Sequence, residues 1–197
     1  MTKRWVIDVE ANGLFFEVSK IWCIVAKDID KDDKYVIFTD ECIKRHSSGR
    51  VFSLDSFKRF VRQEIGMMIG HNILGYDLPV LQKIRGMPYS ILPDKLDGNS
   101  VDFIDTLVWS QHLFPFLQLP SGCPTTYKGI LPDGTEVVKP VGPHSLAAYG
   151  HRVGISKPGI EDWRTQPIET YLNRCIEDTR INEAVFKKYF LHHVEGK

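Results

Sequence analysis

Three short apolar runs open the chain: Trp5-Val6-Ile7, ending in acid at Asp8, then Ile21 to Ala26, then Tyr35 to Phe38. Each has the length of a strand. The polar stretch Asp30-Lys31-Asp32-Asp33-Lys34 between the second and third predicts the turn of a meander. The period then changes. Leu54, Phe57, Phe60, Val61 and Ile65 recur at helical spacing, with Ser53 as the expected N-cap. Met67 to Ile69 reads as a short buried strand, and Leu78, Leu81 and Ile84 again follow a helix. Val101 to Ile104 predicts a strand, Thr106 to Leu113 a helix, and a last helical pattern runs from about Pro167 to Phe190. The order β-β-β-α-β-α-β-α, then helices, predicts an α/β fold: a mixed five-stranded sheet flanked by helices, in one domain over residues 1–197.

Phe114 to Pro143 interrupts this pattern and holds six of the eleven prolines. Pro132-Asp133-Gly134 separates Tyr127-Lys128-Gly129-Ile130 from Glu136-Val137-Val138-Lys139, which predicts a β-hairpin insertion. Two roles are open for it: decoration of the body, or a lip over a substrate strand or a docking arm.

At 197 residues and 43% apolar content the chain suits one globular domain with a full core. Its 25 basic and 25 acidic residues cancel. That excludes a protein held to nucleic acid by bulk charge, and leaves a local or partner-assisted grip. The four cysteines, Cys23, Cys42, Cys123 and Cys175, show no C-x-x-C spacing, so free thiols in a reducing cytosol are expected over a zinc site or disulfides. Met1-Thr2-Lys3-Arg4 runs into a short apolar stretch ended by acid, unlike a signal peptide. No stretch approaches the ~18–20 apolar residues of a membrane span. The expected location is the cytoplasm.

Against this neutral background four carboxylates stand out. Asp8 and Glu10, two apart on a strand, share one face and repel each other unless a cation lies between them. A solvated strand end is the alternative. Asp77 opens a helix, where capping alone accounts for an acid, but Asn72 and Tyr76 beside it offer a hydrogen-bonding group and a stacking ring. Asp178 lies mid-helix on the same side as Arg174 and Tyr171. Oxygen ligands suit hard cations, and a pair of ions roughly 3.5–4 Å apart serves phosphodiester cleavage. Asp105, followed by Thr106, is a fifth candidate, either supporting the ligands from behind or structural, since Asp-Thr can cap the next helix. His144 and His151 are seven apart and share a helix face by spacing. With no third ligand evident they suit zinc poorly, and with Arg152 and Lys157 nearby they suit substrate phosphates.

Asp8-Val9-Glu10, the N-x(3)-[FY]-D run from Asn72 through Asp77, and Asp178 in a later helix occur in the order of the DnaQ-like (DEDD) 3′→5′ exonuclease superfamily, which this chain resembles. Ile104-Asp105-Thr106-Leu107-Val108 and the stretch from His144 to Gly154 extend the likeness to the proofreading domains of T7-type phage DNA polymerases. The resemblance implies a ribonuclease H-like fold, two Mg²⁺ or Mn²⁺ ions on Asp8, Glu10, Asp77 and Asp178, and hydrolysis of single-stranded DNA 3′ ends to nucleoside 5′-monophosphates. It also implies a nucleotide site near Leu14, Phe15, Asn72 and Tyr76. The third motif departs from the pattern. Arginine, Arg174, stands where Y-x(3)-D expects tyrosine, and Asn173 where the histidine subtype expects histidine. Arginine cannot act as a base but can steady a phosphate; Tyr171, a turn earlier, is the alternative for orienting water. The sequence ends at Lys197 without a polymerase region. It is read as an excised piece or a stand-alone phage exonuclease beside a separate polymerase, in host cytoplasm. An RNA-trimming exonuclease, a weakly catalytic module binding DNA ends or a polymerase, and a structure-specific endonuclease remain alternatives.

Overall fold

A computed structural model describes residues 3–31, 35–41, 46–86, 101–130, 134–160 and 165–196. Six strands form one sheet: β1 (Arg4–Ala11), β2 (Ile21–Asp28), β3 (Tyr35–Phe38), β4 (Gly49–Phe52), β5 (Met67–Gly70) and β6 (Asp102–Asp105). Their spatial order is β4-β3-β2-β1-β5-β6. The meander β1-β2-β3 is antiparallel, while β1-β5, β5-β6 and β3-β4 are parallel. The sheet is mixed and flanked by helices, compatible with a ribonuclease H-like fold. It has six strands where the apolar pattern predicts five. β4 escapes that pattern because it is four residues long and its side chains are only partly covered. The turn at residues 32–34 and Cys42 lie outside the described residues.

Alternation along β1 divides the core. Trp5, Ile7, Val9 and Ala11 pack with Phe57 and Val61 of α1 (Ser56–Glu64) and Leu81 of α2 (Leu78–Arg85). Val6 and the acids at positions 8 and 10 take the opposite face, towards α5 (Ile168–Val185). Helix α5 buries Tyr171, Leu172, Cys175, Ile176, Asp178, Thr179, Ile181, Asn182 and Val185, a stripe at helical spacing with three polar members, Asp178, Thr179 and Asn182. A π-helical turn, Phe186–Phe190, then extends it into α6 (Leu191–Val194). The N-cap of α1 is Asp55, two residues after the expected Ser53, whose hydroxyl lies 3.0 Å from that of Ser56.

Helix α3 (Thr106–Leu113) starts where the sequence predicts, and Asp105 caps it by accepting from the N–H groups of Leu107 and Val108. The hairpin is also present: β7 (Thr126–Ile130) pairs with β8 (Glu136–Pro140), while residues 131–133 of its turn lie outside the described residues. Helix α4 (Leu146–Val153) follows, capped by Ser145 and ended by Gly154 in the left-handed region. His144 therefore precedes this helix, and the expected shared face with His151 does not form. No described helix is long and apolar enough to cross a membrane. Cys23, Cys123 and Cys175 are free and buried.

Candidate metal centre

Parallel pairing of β1 with β5 covers only Arg4–Val6 against Met67–Ile69. Beyond it β5 turns away through His71 and Asn72, so the acid-bearing end of β1 borders a crevice at the carboxyl ends of β1, β5 and β6. Such crevices are where open α/β sheets bind ligands. Asn72 makes the turn in a left-handed conformation (φ 63°), and its N–H donates to Asp105 Oδ1 at 2.9 Å. Leu74 N–H donates to Asp105 Oδ2 at 3.1 Å. Asp105 thus organises both this turn and α3, the structural one of its two expected roles. Asp105→Ala should cost roughly 2–4 kcal/mol of stability in urea unfolding. A change within about 0.5 kcal/mol, the range of an ordinary surface substitution, would contradict that role.

A π-helical turn, Ile73–Asp77, then buries Asp77. From the other side α5 delivers Asp178. The thiol of Cys175, one turn earlier on α5, donates to the backbone carbonyl of Asp8 at 3.3 Å and fixes helix against strand. Carboxylate oxygens of Asp8, Glu10 and Asp178 consequently lie within 4.8 Å of one another. Asp77 stands outside that triad but close enough for Asp8 to act on its titration.

Water is largely excluded here, and the carboxyls respond. Burial, then repulsion from Asp178, pushes Asp8 up to about 7. Burial and repulsion from Asp8 hold Glu10 and Asp77 well above the usual carboxylate range. Two cations answer the acids. Lys157 Nζ donates to Asp178 Oδ2 at 2.7 Å, and Arg174 Nε donates to the same oxygen at 2.9 Å while lying 3.6 Å from Glu10 Oε1. Arg174 also donates to the carbonyl of Pro158, tying in the loop that carries Lys157. That loop is pressed onto α4 at Gly150, where a Cβ would lie 2.6 Å from the Ile155 carbonyl oxygen. Two charges do not satisfy the cluster. Asp8 Oδ2 and Asp178 Oδ1 are buried and have no hydrogen-bond partner among the described residues. Oxygen-only donors, two of them unmatched and all on converging acids, fit a hard divalent cation.

His71 packs beside the centre with Nδ1 3.0 Å from Thr106 Oγ1, and Thr106 donates to Asn182 Oδ1 at 2.8 Å. Burial and the charge of Lys157 push His71 down to about 3, so it stays neutral.

The remaining expected residues divide. Leu14 and Tyr76 line a cleft of about 1020 Å³ that ends at Glu10 and Arg174. Tyr76 donates to the Gly13 carbonyl at 2.6 Å, which anchors the loop carrying Leu14. Phe15 packs on the core instead, beneath the Lys83 amine. Tyr171 is buried, stacked 4.7 Å from Trp22, and accepts from Gln166 N–H; its ring belongs to the core and not to the acids. Asn72 contributes its backbone to the turn. His144 Nδ1 lies 2.6 Å from Ser110 Oγ. Arg152 donates to the carbonyls of Pro143 and Gln118, fastening the insertion to α4, where phosphate contact was expected. Lys157 makes the contact to the acids that spacing does not reveal. It sits 21 residues from Asp178, in a loop without periodicity.

No family model matches the chain. Curated relatives do. The chain is similar to phage DNA polymerases. It is 30% identical over 157 residues to the DNA-directed DNA polymerase of Escherichia phage T7, and 29% identical over 157 residues to that of Enterobacteria phage T3. Each match takes in 80% of this chain and 20% of the polymerase, so the chain spans about a fifth of the length of these relatives.

Proposed function

We propose that this chain is a metal-dependent 3′→5′ exonuclease that shortens single-stranded or frayed DNA 3′ ends, releasing nucleoside 5′-monophosphates. The observation carrying this reading is the convergence of Asp8, Glu10 and Asp178 with two buried oxygens unmatched. The resemblance of the three motifs to proofreading exonucleases and the similarity to phage polymerases support DNA as substrate and an association with a DNA polymerase. Asp8, Glu10, Asp77 and Asp178 would hold the ions. Two Mg²⁺ or Mn²⁺ ions supply, when bound, a water of lowered pKa and positive charge opposite the phosphate.

The chain's own residues do the rest. Leu14 and Tyr76 form the wall against which a terminal base packs. Arg174 cannot take a proton; it orients Glu10 and Asp178 and offers its guanidinium to the scissile phosphate. Lys157 pairs with Asp178 and balances its charge. A second reading, a weakly catalytic module that binds DNA ends, draws on the engagement of Arg174 with the acids. Oligonucleotides blocked at the 3′ or the 5′ end, each incubated with Mg²⁺ and with Mn²⁺, decide between them. Mononucleotide release from the 5′-blocked strand alone is expected. Release from neither strand in either metal would overturn the exonuclease.

The raised carboxyls of Asp8, Glu10 and Asp77 set the pH dependence. Ion binding needs these ligands without their protons, so Mn²⁺ affinity should climb by at least about tenfold per pH unit below 7. Calorimetry in buffers of different ionisation enthalpy should detect proton release on ion binding at pH 6. No release at pH 6 would contradict the assignment. Stability follows the opposite course without metal. Unfolded Asp8 loses its proton at its ordinary, lower pKa while folded Asp8 keeps it to about 7. Between those values the folded state binds more protons, and metal-free stability falls as pH rises.

A further inference from the structure

Strands β7 and β8 of the hairpin line the cleft that reaches Glu10 and Arg174. Its register pairs Tyr127 with Lys139 and Gly129 with Val137. Directly opposed residues in an antiparallel pair project to the same side, and all four line the cleft. Val138, on the alternate side, is 62% exposed and absent from the lining, while its partner Lys128 reaches the cleft and adds a second ammonium group. The cleft-facing side of the hairpin therefore carries an aromatic ring, an ammonium group and a short apolar chain. Gly129 leaves the surface opposite Val137 bare. A Cβ there would meet only Val137 Cγ2, at 3.7 Å, so close packing does not demand the glycine. The facing wall presents Leu14, 49% exposed, and the ring of Tyr76; Tyr127 is 52% exposed. Lysine charge beside open aromatic and aliphatic faces is the chemistry of unpaired bases on a backbone: phosphates meet ammonium groups and bases stack on rings. In a duplex the ring faces of the bases are covered by the neighbouring base pairs and are not open to Tyr127.

We propose that this hairpin is a strand-selecting clamp. Tyr127 stacks on a base and Lys139 pairs with a phosphate of the strand whose 3′ end lies at the acids, which restricts the site to single-stranded DNA. The inference rests on the exonuclease reading for the direction of the strand. The occupant follows from the cleft itself.

Fluorescence anisotropy of a labelled single-stranded oligothymidylate in EDTA measures the grip without hydrolysis. Tyr127→Ala should weaken binding about tenfold, whereas Tyr127→Phe, which keeps the ring, should stay within about twofold. Lys139→Gln should reduce the slope of log affinity against log salt by about 0.7, the effect of one phosphate contact on a single strand. Val138→Ser, on the outer side, should bind as wild type, and thermal melts verify that each variant is folded. A matched duplex should bind at least about tenfold more weakly than the single strand. Four results would overturn the clamp: no binding by the wild type, a folded Tyr127→Ala within twofold of it, an unaltered salt slope for Lys139→Gln, or equal affinity for duplex. Failure of the nuclease reading is distinguishable, because it appears as absent nucleotide release by the wild type with these binding differences intact.

Discussion

Asp8→Asn should abolish nucleotide release and, in EDTA, make the protein more stable. Both effects come from one crowded carboxylate. Asp8 stands on the α5 face of the central strand, within 4.8 Å of Glu10 and Asp178, with Oδ2 buried and unmatched. Without metal its charge is opposed by burial and by Asp178, which is why its pKa rises to about 7. An amide of the same shape removes the charge and relieves Glu10, Asp77 and Asp178 together. The melting temperature in EDTA at pH 8 should rise by several degrees, at about 2–4 °C per kcal/mol for a chain of this size. The same amide is a poorer ligand for the proposed divalent ions. Release of nucleotides should fall by about 10³-fold or more, equivalent to roughly 4 kcal/mol of transition-state stabilisation. Mn²⁺, which should stabilise the wild type by mass action, should barely move the variant. A variant that is destabilised in EDTA would show that Asp8 is satisfied without an ion.

Arg174→Ala should act with the opposite sign on stability. Arg174 is largely buried and bridges Asp178, Glu10 and the Pro158 carbonyl. Truncating it leaves two buried acids with Lys157 as the main remaining counter-charge. Breaking a buried charged network in this way costs about 3–5 kcal/mol, a drop of roughly 10 °C in the melting temperature in EDTA. Mn²⁺ should recover much of the loss, since cations replace the missing guanidinium. A melting temperature unchanged from wild type, or a loss that Mn²⁺ leaves untouched, would separate Arg174 from the acid cluster. The pair of variants distinguishes the roles of the two charges: removing an acid relaxes the empty site, and removing its counter-ion strains it.

Much of this arrangement is legible in the sequence because it is periodic. Alternation in Trp5-Val6-Ile7-Asp8-Val9-Glu10 places both acids on one face of β1, and helical spacing places Asp178 on the buried stripe of α5. The capping role of Asp105 follows from its position between strand and helix. Contacts made through loops are not legible. The bond from Lys157 to Asp178 depends on how residues 155–160 cross α4, which no local pattern encodes. Tyr171 shares the α5 stripe with Asp178, but periodicity cannot say that its ring turns to Trp22 instead of the acids. Arg152 next to two histidines suggests a phosphate site by charge; two carbonyls of distant residues claim it instead. β4 is missed because strand pairing, not side-chain burial, holds it.

Anomalous diffraction from a crystal soaked in Mn²⁺ tests the central claim most directly. Two peaks about 3.5–4 Å apart are expected among Asp8, Glu10, Asp77 and Asp178. A crystal that takes up manganese elsewhere but shows no peak among these four side chains would contradict it.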